Sequence, residues 1–110
     1  MGDIKVHTWG FRSPSVLGVG YREAMPPGDI IVRMSKDDYS VASAVCRSIG
    51  RRLRCEVVTL KDEGTACDGG VPTDFLYQAT LGRRCRRGGY DVLGSIWFAI
   101  PIQSVKEAAV

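Results

Sequence analysis

Residues 29–35 place Ile30, Val32 and Met34 on one side of an extended chain and Ile31 and Arg33 on the other. A few residues later Ala42, Val45, Cys46, Ile49 and Leu53 recur at helical spacing. This switch of hydrophobic period, from two to about 3.6, constrains the fold more than any other feature of the chain. A half-buried strand running into an amphipathic helix is stable only when the apolar stripe of the helix covers a sheet face. Between them Lys36-Asp37-Asp38 reads as a helix start, since carboxylates are favoured at the positive end of the helix dipole. Gly50 and Arg51 mark the expected helix end.

The rest of the chain extends this pattern. Residues 4–8 alternate apolar and polar as a strand does, and residues 14–25 carry Leu17, Tyr21, Ala24 and Met25 on one helical side. Pro26-Pro27-Gly28 ends that helix. Alternation returns over 54–61 and over 74–81, where Phe75, Tyr77, Ala79 and Leu81 share a side. Residues 62–74, with Gly64, Gly69, Gly70 and Pro72, read as a loop insertion. The order β-α-β-α-β-β predicts an α/β fold for residues 1–82: a two-layer sandwich, a mixed sheet with two helices on one face. Residues 83–110 read as a C-terminal extension packed on the same domain. It comprises a basic loop over 83–89, an apolar run over 92–102 that suits either a strand or a short helix, and the capping-box spacing of Ser104 and Glu107. Trp97-Phe98 in this run fits closure of the core or, alternatively, a homo-oligomer interface.

At 110 residues with 45% apolar and 25% charged side chains, one ordinary globular domain is expected. No apolar stretch reaches the roughly 18 to 20 residues that span a bilayer, and the N-terminus has no basic-then-apolar leader pattern. A soluble, cytoplasmic protein without a membrane partner is the expectation. The net charge of +3 is too small to demand a polyanionic partner. Its distribution is more informative: Arg47, Arg51, Arg52 and Arg54 gather at one helix end, and Arg83, Arg84, Arg86 and Arg87 flank Cys85. Such clusters suit phosphates, RNA included, or an acidic protein face, although solvated charge is the plainer explanation. Cys46, Cys55, Cys67 and Cys85 lack zinc-site spacing, so no metal and no cofactor is expected, and Cys46 fits the helix's apolar stripe.

The segment Trp9-Gly10-Phe11-Arg12-Ser13-Pro14 joins the first strand to the first helix. Ser before Pro reads as a helix N-cap followed by the first helical residue. A thiol at position 13 would have its anion favoured by the helix amides and by Arg12, whereas a hydroxyl stays protonated. A hydrolytic Ser13 would need His7 as base, and neither an acidic orienting partner nor a Gly-x-Ser-x-Gly elbow is present.

In this register the chain resembles the TusA/SirA-type sulfur-carrier (sulfurtransferase) family. Members carry Gly-Leu-Arg-Cys-Pro-x-Pro at the start of the first helix and a Pro-Gly-acidic turn into the second strand. This chain has Gly10-Phe11-Arg12-Ser13-Pro14-Ser15-Val16 and then Pro27-Gly28-Asp29 before Ile30-Ile31-Val32. The resemblance covers residues 4–82 apart from the loop. It implies a sandwich that relays persulfide sulfur between donor and acceptor proteins, as in tRNA thiolation or other sulfur metabolism, with position 13 as the carrier and Gly10, Arg12 and Pro14 shaping the site.

Two residues depart from the family pattern: Ser13 stands where the family has its cysteine, and Val16 where it has the second proline. No persulfide is expected at residue 13. Three readings are open: an inactivated variant, a natural relative that kept binding and lost transfer, or transfer by another thiol, Cys67 or Cys85. Cys85 is attractive because neighbouring guanidiniums lower a thiol pKa. The alternative from a different class is a small basic nucleic-acid-binding or partner-binding domain without catalysis; the element order also resembles small nucleic-acid-binding domains such as the Alba type, and the candidate contacts are Arg51, Arg52, Arg54, Arg83, Arg84, Arg86 and Arg87.

Overall fold

The computed structural model of the chain describes residues 3–12, 28–33 and 37–108. Five strands, β1 (Asp3–Arg12), β2 (Gly28–Arg33), β3 (Glu56–Asp68), β4 (Val71–Arg84) and β5 (Tyr90–Pro101), and two helices, α1 (Asp38–Leu53) and α2 (Ile102–Ala108), make an α/β fold compatible with a two-layer sandwich. The strands lie in the order β2-β1-β5-β4-β3, and every neighbouring pair is antiparallel. The expected mixed sheet is thereby corrected. Tight turns join β3 to β4 and β4 to β5, and a tight turn permits only antiparallel neighbours. The helix expected over 14–25 falls outside the described residues.

One face of the sheet carries the core. Ile4 and Val6 of β1 stand opposite Val32 and Ile30 of β2, while Ile96 and Phe98 of β5 stand opposite Ala79 and Tyr77 of β4. All eight are buried and form one cluster with Val41, Ala42, Val45, Ile49 and Leu53 of α1 and Val105 of α2. The sheet thus covers the stripe that the sequence marks on α1, with Val41 added and Cys46 half-buried at its border. Asp37 caps the helix, its side chain accepting a hydrogen bond from Ser40 N at 2.8 Å, as the acidic start predicts. From the first turn Asp38 reaches the sheet: Tyr77 OH donates to Asp38 Oδ2 at 2.6 Å. Burial and this carboxylate together push the Tyr77 hydroxyl pKa up, burial contributing most. The Tyr77 ring also stacks on Phe98, with centroids 5.6 Å apart and planes 13° from parallel.

Two further expectations are corrected. Residues 62–74 are not a loop insertion but the outer half of a long β3–β4 hairpin, paired from Asp62↔Tyr77 to Asp68↔Val71. Its glycines serve the hairpin. Gly69 and Gly70, with φ of 56° and 82°, form the two-residue turn, where positive φ matches the twist of the strands. Gly64, at φ 86°, sits in a register shift between Asp62 and Thr65, and its N–H donates to Asp62 Oδ1 at 2.8 Å. Residues 83–110 are likewise no appendage: β5 is the middle strand, between β1 and β4. The apolar run resolves as a strand, with Phe98 in the core and the half-buried Trp97 on the opposite face. The last helix starts at Ile102, two residues before the expected Ser104 cap.

Candidate functional site

The sheet gathers what the sequence separates. α1 ends at Leu53 and the chain enters β3 at Glu56, which pairs with Gly82 near the end of β4. Two residues past Gly82, Arg84 faces Tyr90 of β5. Between those strands Cys85 N donates to Gly89 O and Gly88 N to Cys85 O, so Arg86 and Arg87 occupy the tip of a hydrogen-bonded turn. The C-terminus of α1, the start of β3 and the β4–β5 turn thus share one end of the molecule. It holds Arg47, Arg51, Arg52, Arg54, Arg83, Arg84, Arg86 and Arg87, eight of the 15 lysines and arginines in the chain. Among the described residues the acids there are Glu56 and Asp91. The far end of the long hairpin carries Asp62, Glu63, Asp68 and Asp74 against Lys61, so the two ends of the β3–β4 hairpin differ in charge.

Within the basic end Arg84 is held by its neighbours, whereas four exposed arginines are not paired with any described residue. Arg84 Nη2 lies 3.5 Å from Glu56 Oε2 and donates to Tyr90 OH at 3.2 Å. Arg51, Arg52, Arg86 and Arg87, all exposed, form no ion pair with any described residue. Arg54 occupies the left-handed position that ends α1, with φ 51° and ψ 50°, and its backbone N–H donates to Gly50 O. Glycine normally fills this position because other L-residues there cost roughly 1 kcal/mol or more. Arg54→Gly is expected to gain about 1 kcal/mol in urea unfolding; a loss of stability would contradict the strain at this position.

The thiols behave differently from expectation. Cys85 sits in the arginine-rich turn, yet its pKa is raised, first by a hydrogen bond to the Asp91 carboxylate and next by burial. The lowering expected from the guanidiniums is corrected: the hairpin brings an acid from six residues downstream against the thiol. Cys46 and Cys55 line an open groove of about 380 Å³ with Arg47, Gly50, Glu56 and Val57, at the small end of ligand-pocket sizes. Burial pushes the Cys46 thiol up to about 11, Arg47 offsetting part of the shift. Cys67 is exposed in the outer half of the β3–β4 hairpin, opposite Pro72 and away from the arginines. Iodoacetamide near pH 8 is therefore expected to modify Cys67 long before Cys46; equal rates in the folded protein would contradict the burial. Since the folded pKa of Cys46 lies above the ordinary thiol value of 9.0, its contribution to stability is complete below that pH and is lost as pH rises toward 11.

Gly10 and Arg12 lie in β1, and Arg12 is in register with Ser95 of β5. Ser13 and Pro14 fall outside the described residues. His7 is exposed on β1, in register with Ala99. Among the described residues no group of His, Cys, Asp and Glu has the arrangement of a metal site, and no helix is long and apolar enough to cross a membrane. Nothing local in the sequence marks Glu56, Asp91 and Tyr90 as neighbours of the arginines; Gly88-Gly89 between two strand-like runs is the hairpin signal that brings them there. Comparison with protein-family models, with curated proteins and with solved structures gave no match.

Proposed function

We propose that the protein is a non-catalytic binding module that holds a nucleic acid by its phosphates at the arginine end. The observation that supports this most is the convergence of two arginine clusters, some 30 residues apart in the chain, on one end of the sheet, with four exposed guanidiniums unpaired among the described residues. Unpaired surface arginines there raise the local potential and exchange condensed counterions for phosphate contacts. The acidic far end of the β3–β4 hairpin adds to the case, because it orients the molecule toward a polyanion. Mobility shift of a labelled oligonucleotide in low-salt buffer tests it. Retention that disappears as salt rises is expected; no retention at low salt would end the proposal.

Sulfur transfer is the second reading, favoured by one observation: β1 runs to Arg12, immediately before the Ser13-Pro14 junction that the sulfur-carrier resemblance marks. The all-antiparallel order β2-β1-β5-β4-β3 differs from the mixed sheet expected with that resemblance. Incubation with a persulfide donor followed by intact mass measurement is expected to add one sulfur to Ser13→Cys and none to the parent. If Ser13→Cys gains none, the carrier ancestry is wrong.

A further inference from the structure

Among the described residues, Tyr90 is the aromatic side chain that the fold leaves substantially open among the arginines. It opens β5 directly after the Arg86-Arg87 turn and is 39% exposed, beside Val92 at 58%. Tyr90 and Val92 share the sheet face opposite α1 with Glu56, Gly82 and Arg84, as the register Glu56↔Gly82↔Val92 and Arg84↔Tyr90 requires. The ring is nonetheless restrained at both ends. At its root the packing over Gly82 is so close that a Cβ there would lie 2.7 Å from Val58 Cγ2 and 3.3 Å from Tyr90 Cβ. At its tip Arg84 donates to the hydroxyl at 3.2 Å, its Cζ 5.7 Å from the ring centroid, and Glu56 holds that guanidinium in turn at 3.5 Å.

An exposed ring whose rotamer is already fixed loses little entropy on stacking. Arg84 lies beside it, and Arg86 and Arg87 sit at the tip of the turn that precedes it, cations suited to a phosphate backbone. Duplex bases present no free faces, because each is stacked on its neighbours, whereas a single strand offers them. We infer that Tyr90 is a stacking platform for an unpaired base, so that the ligand of the arginine end is single-stranded nucleic acid. This deepens the nucleic-acid reading and rests on it. Phosphate contacts from Arg86 and Arg87, at the tip of the turn that leads into Tyr90, supply sequence-independent grip, and the ring supplies discrimination between single strand and duplex.

Fluorescence anisotropy with a labelled mixed-sequence single-stranded DNA, the same sequence as duplex, and inorganic polyphosphate as a competitor without bases tests this on the full chain, on Tyr90→Ala and on Tyr90→Phe. The parent is expected to prefer single strand over duplex. Tyr90→Ala should lose about five- to a hundredfold in affinity for single strand while polyphosphate still competes through the unchanged arginines with its affinity for the variant intact. Tyr90→Phe, which keeps the ring and drops the hydroxyl, should bind single strand nearly as well as the parent. Equal binding of single strand by parent and Tyr90→Ala would overturn the inference. So would a matching loss of polyphosphate affinity in Tyr90→Ala, which would make the ring a mere prop for Arg84. Polyphosphate binding without preference for single strand removes the stacking role and leaves phosphate recognition standing; failure of oligonucleotides and polyphosphate alike removes both.

Discussion

Replacing Phe98 with alanine is expected to destabilise the protein by about 3 to 5 kcal/mol in urea or thermal unfolding. The side chain is fully buried, stacks on Tyr77 and belongs to the middle strand of the sheet, with β1 on one side and β4 on the other. Truncation removes the apolar transfer energy of a phenyl ring and leaves a cavity whose walls include Tyr77, itself tied to Asp38 and hence unable to collapse freely. Against a total stability of about 5 to 15 kcal/mol for a domain of this kind, such a loss takes much of the folded population. The measurement also separates two architectures. Were residues 83–110 an extension lying on a complete domain, the loss would be small and would leave a cooperative core behind. A cost under about 1 kcal/mol would contradict the central placement of β5.

Removing two side chains at the turn tip, Arg86→Ala with Arg87→Ala, is expected to lower single-strand affinity about 25-fold near 0.1 M salt. The magnitude follows from counterion release: each phosphate contact on a single strand contributes a slope of about 0.7 in log affinity against log salt, so two contacts contribute about 1.4 decades at 0.1 M relative to 1 M, where the counterion-release contribution vanishes. Stability should stay within about 0.5 kcal/mol of the parent, since both side chains are exposed and neither pairs with a described acid. That combination, binding lost with folding kept, distinguishes ligand contacts from structural charge.

Much of the fold was legible where one element has one dominant cause. The α1 stripe and its Asp37 cap follow from local spacing and from the chemistry of a carboxylate facing free amides. The inner halves of β3 and β4 showed as alternation. The outer halves are hidden, because Gly64, Gly69 and Gly70 read locally as breakers, whereas two of them make the hairpin turn and the third sits at a register shift. β5 was ambiguous because an apolar run has no period to read, and its insertion between β1 and β4 is a long-range choice that no local window contains. The arginine clusters were visible in the sequence. Their convergence, and the meeting of Cys85 with Asp91 that reverses the expected thiol shift, required the register of the β4–β5 hairpin.

A salt titration of single-strand affinity, run side by side on the parent and on the Arg86→Ala, Arg87→Ala variant, tests the role of the arginine end most directly. Log affinity should fall linearly with log salt for both, with the slope of the variant shallower by about 1.4. Identical slopes, or an affinity that does not respond to salt, would contradict phosphate binding at this end of the protein.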